Sequence, residues 1–189
     1  MKKSTTILVL LSFIFFTCRK EENNFGLPPA TQKGANTFGC LIDGKPWVAE
    51  IGLGVLDPLI KKIRSNYDEV GFGVADISYF SLSASLVSLP DSIYDIFSFN
   101  IEPVYGVGTI DFSNVQRKDI QCVFSQPGIS THTSIYVLDT LYPINVNIRK
   151  LDTDANICAG TFEFRLIDKT NKDTLDVTNG RFDVIYQPD

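Results

Sequence analysis

The sequence has little of what chemistry is usually built from. It holds one histidine, one tryptophan and one methionine in 189 residues. A histidine base needs a placed nucleophile and a third group to orient it. The chain contains no Gly-x-Ser-x-Gly elbow to offer His132 a partner. His132, in Ser130-Thr131-His132-Thr133-Ser134, is therefore read as a polar strand or loop residue, and no catalytic residue is expected. Cysteine is also sparse: Cys18, Cys40, Cys122 and Cys158 stand far apart, whereas a zinc site wants close Cys or His pairs. No cofactor is expected. Basic charge is short too, with 17 Lys and Arg against 22 Asp and Glu. Nucleic-acid binding wants clustered positive charge. The longest basic cluster, Lys61-Lys62-Ile63-Arg64, reads more simply as a solvated turn. Long apolar runs are missing beyond the N-terminus, so no membrane-spanning helix of about 20 residues is expected.

The one pronounced apolar run is residues 7–16, ILVLLSFIFF, preceded by Lys2 and Lys3. It is too short to span a bilayer stably. A positive start, a short apolar core and an abrupt polar boundary are the parts of a secretory signal. The boundary falls at Cys18, which looks like a lipobox cysteine, although Phe15 and Thr17 stand where lipoboxes favour Leu and a small residue. Residues 1–17 are thus expected to be a lipoprotein signal peptide, and Cys18 an acylated anchor to the outer membrane. One chain binds a bilayer only marginally and several hold. Loss of Lys2 and Lys3 takes the net charge from −5 to −7. Arg19-Lys20-Glu21-Glu22 follows; Lys20, Glu21 and Glu22 look like the export signal that sends Bacteroidota lipoproteins to the cell surface. The alternative is a periplasm-facing lipoprotein. Residues 18–36 carry charge, Pro28-Pro29 and little apolar content, and such a stretch cannot offset its ordering entropy. They are read as a flexible tether.

Residues 37–189 read as one domain of a natural size. Apolar and polar residues alternate in several stretches: Phe80, Leu82, Ala84 and Leu86; Ile144, Val146 and Ile148; Phe162, Phe164 and Leu166; Phe182, Val184 and Tyr186. Alternation of this kind marks antiparallel sheets with one buried face. Asp43-Gly44 between apolar segments marks a hairpin. Asp152 to Asn156 and Asn179-Gly180 are read as further turns. Residues 57–66 are the one place where a turn or two of helix is expected. The fold class is all-β, an antiparallel β-sandwich or incomplete β-barrel of about nine or ten strands. Cys40, Cys122 and Cys158 each share parity with apolar neighbours and are read as buried free thiols, with a single disulfide among them as the alternative.

Gly160-Thr161-Phe162-Glu163-Phe164 and Gly180-Arg181-Phe182-Asp183-Val184 resemble each other: each opens a strand with glycine, then sets an inward Phe beside an outward acid. With the head segment at residues 27–48, LPPATQKGANTFGCLIDGKPWV, they resemble a family of Bacteroidota lipoproteins of unknown function. The resemblance implies a secreted, lipid-anchored β domain and brings no activity and no site residues.

Two further patterns bear on function. Asp152, Asp154, Asn156 and Glu163 fall at positions one, three, five and twelve of a calcium loop, but its sixth position is Ile157 where glycine is required. No metal is expected, and these four remain a weak calcium candidate. Trp47 and the tyrosines have the faces for stacking on sugars, although a lone Trp after a tight turn more often packs on the core. The leading expectation is a non-catalytic envelope lipoprotein, structural or an accessory binding subunit with a protein or glycan partner. The alternative is a carbohydrate-binding or glycan-handling module, which a set of exposed aromatics on one sheet face would favour.

Overall fold

A computed structural model describes residues 25–52, 62–71, 76–88, 93–104, 106–112, 117–125 and 133–188. These contain no helix. Ten strands have four or more residues: β1 (Thr37–Ile42), β2 (Lys45–Val48), β4 (Ile63–Gly71), β5 (Asp76–Ser88), β6 (Ile93–Glu102), β8 (Arg117–Ser125), β9 (Thr133–Leu138), β10 (Asn145–Asp152), β11 (Ile157–Asp168) and β12 (Thr174–Ile185). Three short ones complete the ladder: β3 (Glu50–Gly52), β7 (Gly108–Thr109) and β13 (Gln187–Pro188).

The strands run in one hydrogen-bonded path, β13-β4-β5-β6-β8-β9-β11-β12-β1-β2, with β10 and then β7 added beside β11 and β3 beside β5. The path folds into two facing layers. β4, β5, β6 and β8 make one, β10, β11, β12, β1 and β2 the other, and β9 passes between them. Pairing is antiparallel except at the corners, where β13 joins β4 and β3 joins β5 in parallel. Strands that change layer at a corner are how orthogonally packed sheets turn. The path stays open at β13 and β2 and does not close into a barrel.

Aromatic rings fill the space between the layers. Phe80 of β5 meets Phe182 of β12 at 5.5 Å, Phe99 of β6 meets Phe162 of β11 at 5.8 Å, and Phe97 of β6 meets Phe38 of β1 at 5.1 Å between ring centroids. Such pairs contribute about 0.5–1.5 kcal/mol beyond the area they bury. The alternation in the sequence corresponds to this face: Phe80, Leu82, Ala84, Val146, Ile148, Phe162, Phe164, Leu166, Phe182, Val184 and Tyr186 are all buried. Leu86 and Ile144 are half-buried against them. Trp47 is buried against Phe38 and Phe97, as expected of a Trp following the Asp43-Gly44 turn. That turn has φ of 49° and 76° at its two residues, as a two-residue hairpin loop requires.

The two Gly-x-Phe segments explain each other. In the β11–β12 ladder Gly160 faces Phe182 and Phe162 faces Gly180. A Cβ on Gly160 would lie 2.7 Å from Phe182 Cζ, and one on Gly180 would lie 2.4 Å from Phe162 Cδ2. Each phenylalanine thus covers the other strand's glycine, an aromatic rescue made twice in reciprocal positions.

Three local expectations change. Of residues 57–66, where a turn or two of helix is expected, 57–61 lie outside the described residues, while 63–66 begin β4; Ser65 and Tyr67 are buried while Arg64 is exposed, a period of two fixed by pairing with β5. The same strand absorbs Ile63-Arg64 of the cluster read as a turn. Asn179-Gly180 does not end a strand. It forms a bulge within β12, with Asn179 at φ 51° and a one-residue register shift against both β11 and β1. Asn tolerates the left-handed conformation that such a bulge needs.

Candidate functional site

The outer face of β12 is not bare. Residues 25–36, expected to be tether, lie along it as a packed arm. The reason is Asp183. Its parity with Arg181 points it outward, yet it is 1% exposed because the arm covers it. Thr31 Oγ1 donates to Asp183 Oδ2, as does the backbone N–H of Lys33 at 3.1 Å, and the N–H of Gly34 donates to Oδ1 at 2.7 Å. Burial pushes this carboxyl's pKa up, but the bonds from Thr31, Lys33, Gly34 and Ala35 outweigh it and hold the pKa below the usual carboxylate value. A buried charge is tolerable when donors surround it in this way. Arg181 Nη1 donates to the Pro28 carbonyl at 3.3 Å, and Asn36 Oδ1 accepts from the Ile185 N–H at 3.0 Å. Leu27 is buried, and Pro28 packs so close to Gly39 that a Cβ there would lie 2.9 Å from Pro28 Cδ. The tether reading of residues 18–36 is corrected for 25–36, which belong to the domain. Composition alone missed this, because the donors that hold the arm are mostly backbone groups.

Beside the arm the same outer face carries a groove of about 680 Å³. Its floor is made of side chains that alternate away from the core: Asn145 and Asn147 of β10, Thr161 and Glu163 of β11, Asn179 and Arg181 of β12. Thr109 of β7 stands on one side, and Phe25 and Ala30 of the arm on the other. Glu163 Oε1 accepts from the Asn179 N–H at 3.3 Å, so the acid is oriented by the bulge. Arg181 is turned toward the arm and its own strand, donating also to the Asn179 carbonyl. The described lining residues therefore supply three amides, two hydroxyls, one carboxylate and one engaged guanidinium. One exposed aromatic borders the groove, and a second lies farther along the same strands, outside the lining. Phe25 is 56% exposed at the rim. Tyr142 is 41% exposed and lies over Arg165, the next outward residue of β11 after Glu163, with 3.9 Å from guanidinium carbon to ring centroid.

The residues singled out from sequence distribute as follows. Cys18, Lys20, Glu21, Glu22 and His132 lie outside the described residues. Asp152 closes the β10–β11 turn: it accepts from the Ala155 N–H at 2.9 Å and pairs with Lys150 Nζ at 3.1 Å. The bond from Ala155, followed by Lys150, lowers its pKa. Asn156 takes φ 54° in the same turn. Glu163 is elsewhere, opposite Asn145, whereas Asp152 is opposite Ile157. Six residue steps along the strand separate them, about 20 Å. The calcium-loop spacing is thus not assembled, and no group of three His, Cys, Asp or Glu side chains is placed to hold a metal among the described residues. Cys40 and Cys158 are free, buried thiols whose pKa burial pushes up to about 12. Cys122 is on β8, and its side chain lies outside the described residues.

Two features went unseen in the sequence. Asn145 and Asn147 were legible as outward residues, but not their convergence with Asn179 from a bulge two strands away. Asp95 is in phase with Phe97, Phe99 and Ile101 and points inward, where Trp47 Nε1 donates to it at 3.4 Å. The alternation along β6 was the available signal. No protein-family model, no curated protein and no solved structure matches this chain.

Proposed function

We propose that the chain is a cell-envelope lipoprotein whose β domain binds rather than catalyses. In this reading it is anchored by acylated Cys18 and shown on the outer membrane surface through Lys20, Glu21 and Glu22. The observation that carries the binding role is the groove: it is open, built on rigid strands and, among the described residues, lined by one carboxylate, Glu163. Sites on strands hold side chains more firmly than sites on loops. Glycoside cleavage takes two carboxyl groups flanking the bond, and the described lining residues supply one. The signal-like residues 2–17 and the resemblance of residues 27–48 to Bacteroidota lipoproteins support the anchoring.

The packed arm gives this reading a geometry. Six residues separate Cys18 from Phe25, where the arm begins. Fully extended, that connection spans at most about 25 Å. A lipid on Cys18 would hold the groove close to the bilayer, with Phe25 marking the groove's tethered end. Cys18→Ser should abolish labelling by an alkyne analogue of palmitate and release the protein from membranes; unchanged labelling refutes the anchor. Protease added to intact cells should cleave the wild type. Changing Lys20, Glu21 and Glu22 to alanine should protect it without loss of lipid. Equal accessibility of the triple variant would mean these residues are not the address.

A further inference from the structure

We propose that the groove across β10, β11 and β12 binds a neutral saccharide chain, a ligand class that rests on the binding role proposed above. The volume, about 680 Å³, is within the range of small-ligand clefts. Sugar hydroxyls donate and accept at once, and so do the groups that line the floor. Asn145, Asn147 and Asn179 each bring a carbonyl acceptor and an NH₂ donor, and Thr161 brings a hydroxyl. These side chains come from three adjacent strands, so their spacing is set by the ladder rather than by mobile loops.

Charge argues for a neutral ligand. Among the described lining residues Glu163 is the one carboxylate, and it would repel anions. Arg181, the one cation there, already donates to the Pro28 and Asn179 carbonyls and is drawn to the arm. A clamp for phosphate, sulfate or uronate would present a free guanidinium fork instead. Lipid and apolar peptide are disfavoured by a floor of amides, since filling it with apolar groups would strand those amides without partners. The remaining element of sugar recognition is an aromatic surface for the apolar face of a ring. Phe25 provides one at the rim. Tyr142, outside the lining and in contact with Arg165, the next outward residue of β11 after Glu163, would offer a second ring to a longer ligand. A ligand reaching both would be a chain of several sugar units.

The test uses the full-length lipidated protein in detergent micelles, titrated calorimetrically with maltohexaose, cellohexaose, xylohexaose and mannohexaose, and with hexagalacturonic acid as the anionic comparison. At least one neutral hexasaccharide should bind saturably, and hexagalacturonic acid more weakly. The exposed double variant Asn145→Ala, Asn147→Ala should lose about tenfold or more in affinity. Tyr142→Ala should lose several-fold. Melting temperatures should stay at the wild-type value, which separates lost contacts from lost folding. Three results would overturn the proposal: no binding by any neutral hexasaccharide, binding undiminished in the double variant, or preference for the galacturonate. A photo-crosslinking residue at position 145 in whole cells distinguishes this failure from that of the binding role. An adduct formed there without saccharide binding removes the ligand class and leaves the binding role standing; no adduct and no saccharide binding removes both.

Discussion

Gly160-Thr161-Phe162-Glu163 and Gly180-Arg181-Phe182-Asp183 lie side by side in the same sheet and diverge on one face only. On the inner face they are equivalent: each Phe is buried and each covers the other's glycine. On the outer face one acid is exposed in a groove, and the other is sealed under the arm and held by Thr31, Lys33 and Gly34. Strand periodicity assigns a residue to a face. What happens to it there depends on whether another part of the chain covers that face. The same local pattern thus yields a structural carboxylate at Asp183 and a solvent-facing one at Glu163.

The largest effect should come from breaking the equivalent half. Phe162→Ala removes a side chain that is 1% exposed and touches rings of both layers. It also uncovers Gly180. A loss of about 3–5 kcal/mol is expected in urea or thermal unfolding. A loss below about 1 kcal/mol would show that the reciprocal cover is not what holds β11 to β12.

The next effect tests the sealed acid. Asp183→Asn should cost about 1–3 kcal/mol at neutral pH, as expected for hydrogen bonds to a buried charge. The pH dependence has a definite sign. The folded carboxyl has a pKa below its usual value, so the folded state binds its proton less readily than the unfolded chain. Its contribution is complete above the unfolded value of about 4, and falls away as pH drops toward the folded one. The stability gap between wild type and variant should therefore be widest near neutral pH and narrow below about pH 4. A gap that does not change with pH would mean that the charge is not what the arm recognises.

The smallest effect should be at the exposed acid. Glu163→Gln is expected to change stability by no more than about 0.5 kcal/mol, as at other surface positions. A loss comparable to that of Asp183→Asn would erase the distinction between the two strands and make Glu163 a structural residue.

The core was readable in advance for a simple reason. Phe80, Leu82, Ala84, Val146, Ile148, Phe162, Phe164, Phe182 and Val184 advertise their face by alternation, and burial of one face is what makes a sheet stable. Three things were not readable. Burial of Asp183 depends on a segment about 150 residues away in the chain, and no local window contains both. The Asn179-Gly180 bulge has the same two-residue signature as a hairpin turn, and only pairing with continuous neighbours on both sides decides between them. The groove requires the register of three strands, because its amides converge through pairing and not through sequence spacing.

The place of β1 in the ladder bears on how the domain is made. β1 pairs with β12, Thr37 facing Asp183, so the earliest strand waits for the latest long one. Two more residues then carry β13 onto β4. Contacts between strands this far apart in sequence close a large loop, and folds rich in such contacts fold slowly. A chain emerging from a ribosome or a translocon cannot bury Phe38 or seat the arm until residues 174–185 have arrived. A nascent chain cut short before β12 lacks the strand that β1, β11 and the arm all share. Completion of this domain is therefore a late, nearly all-or-none event.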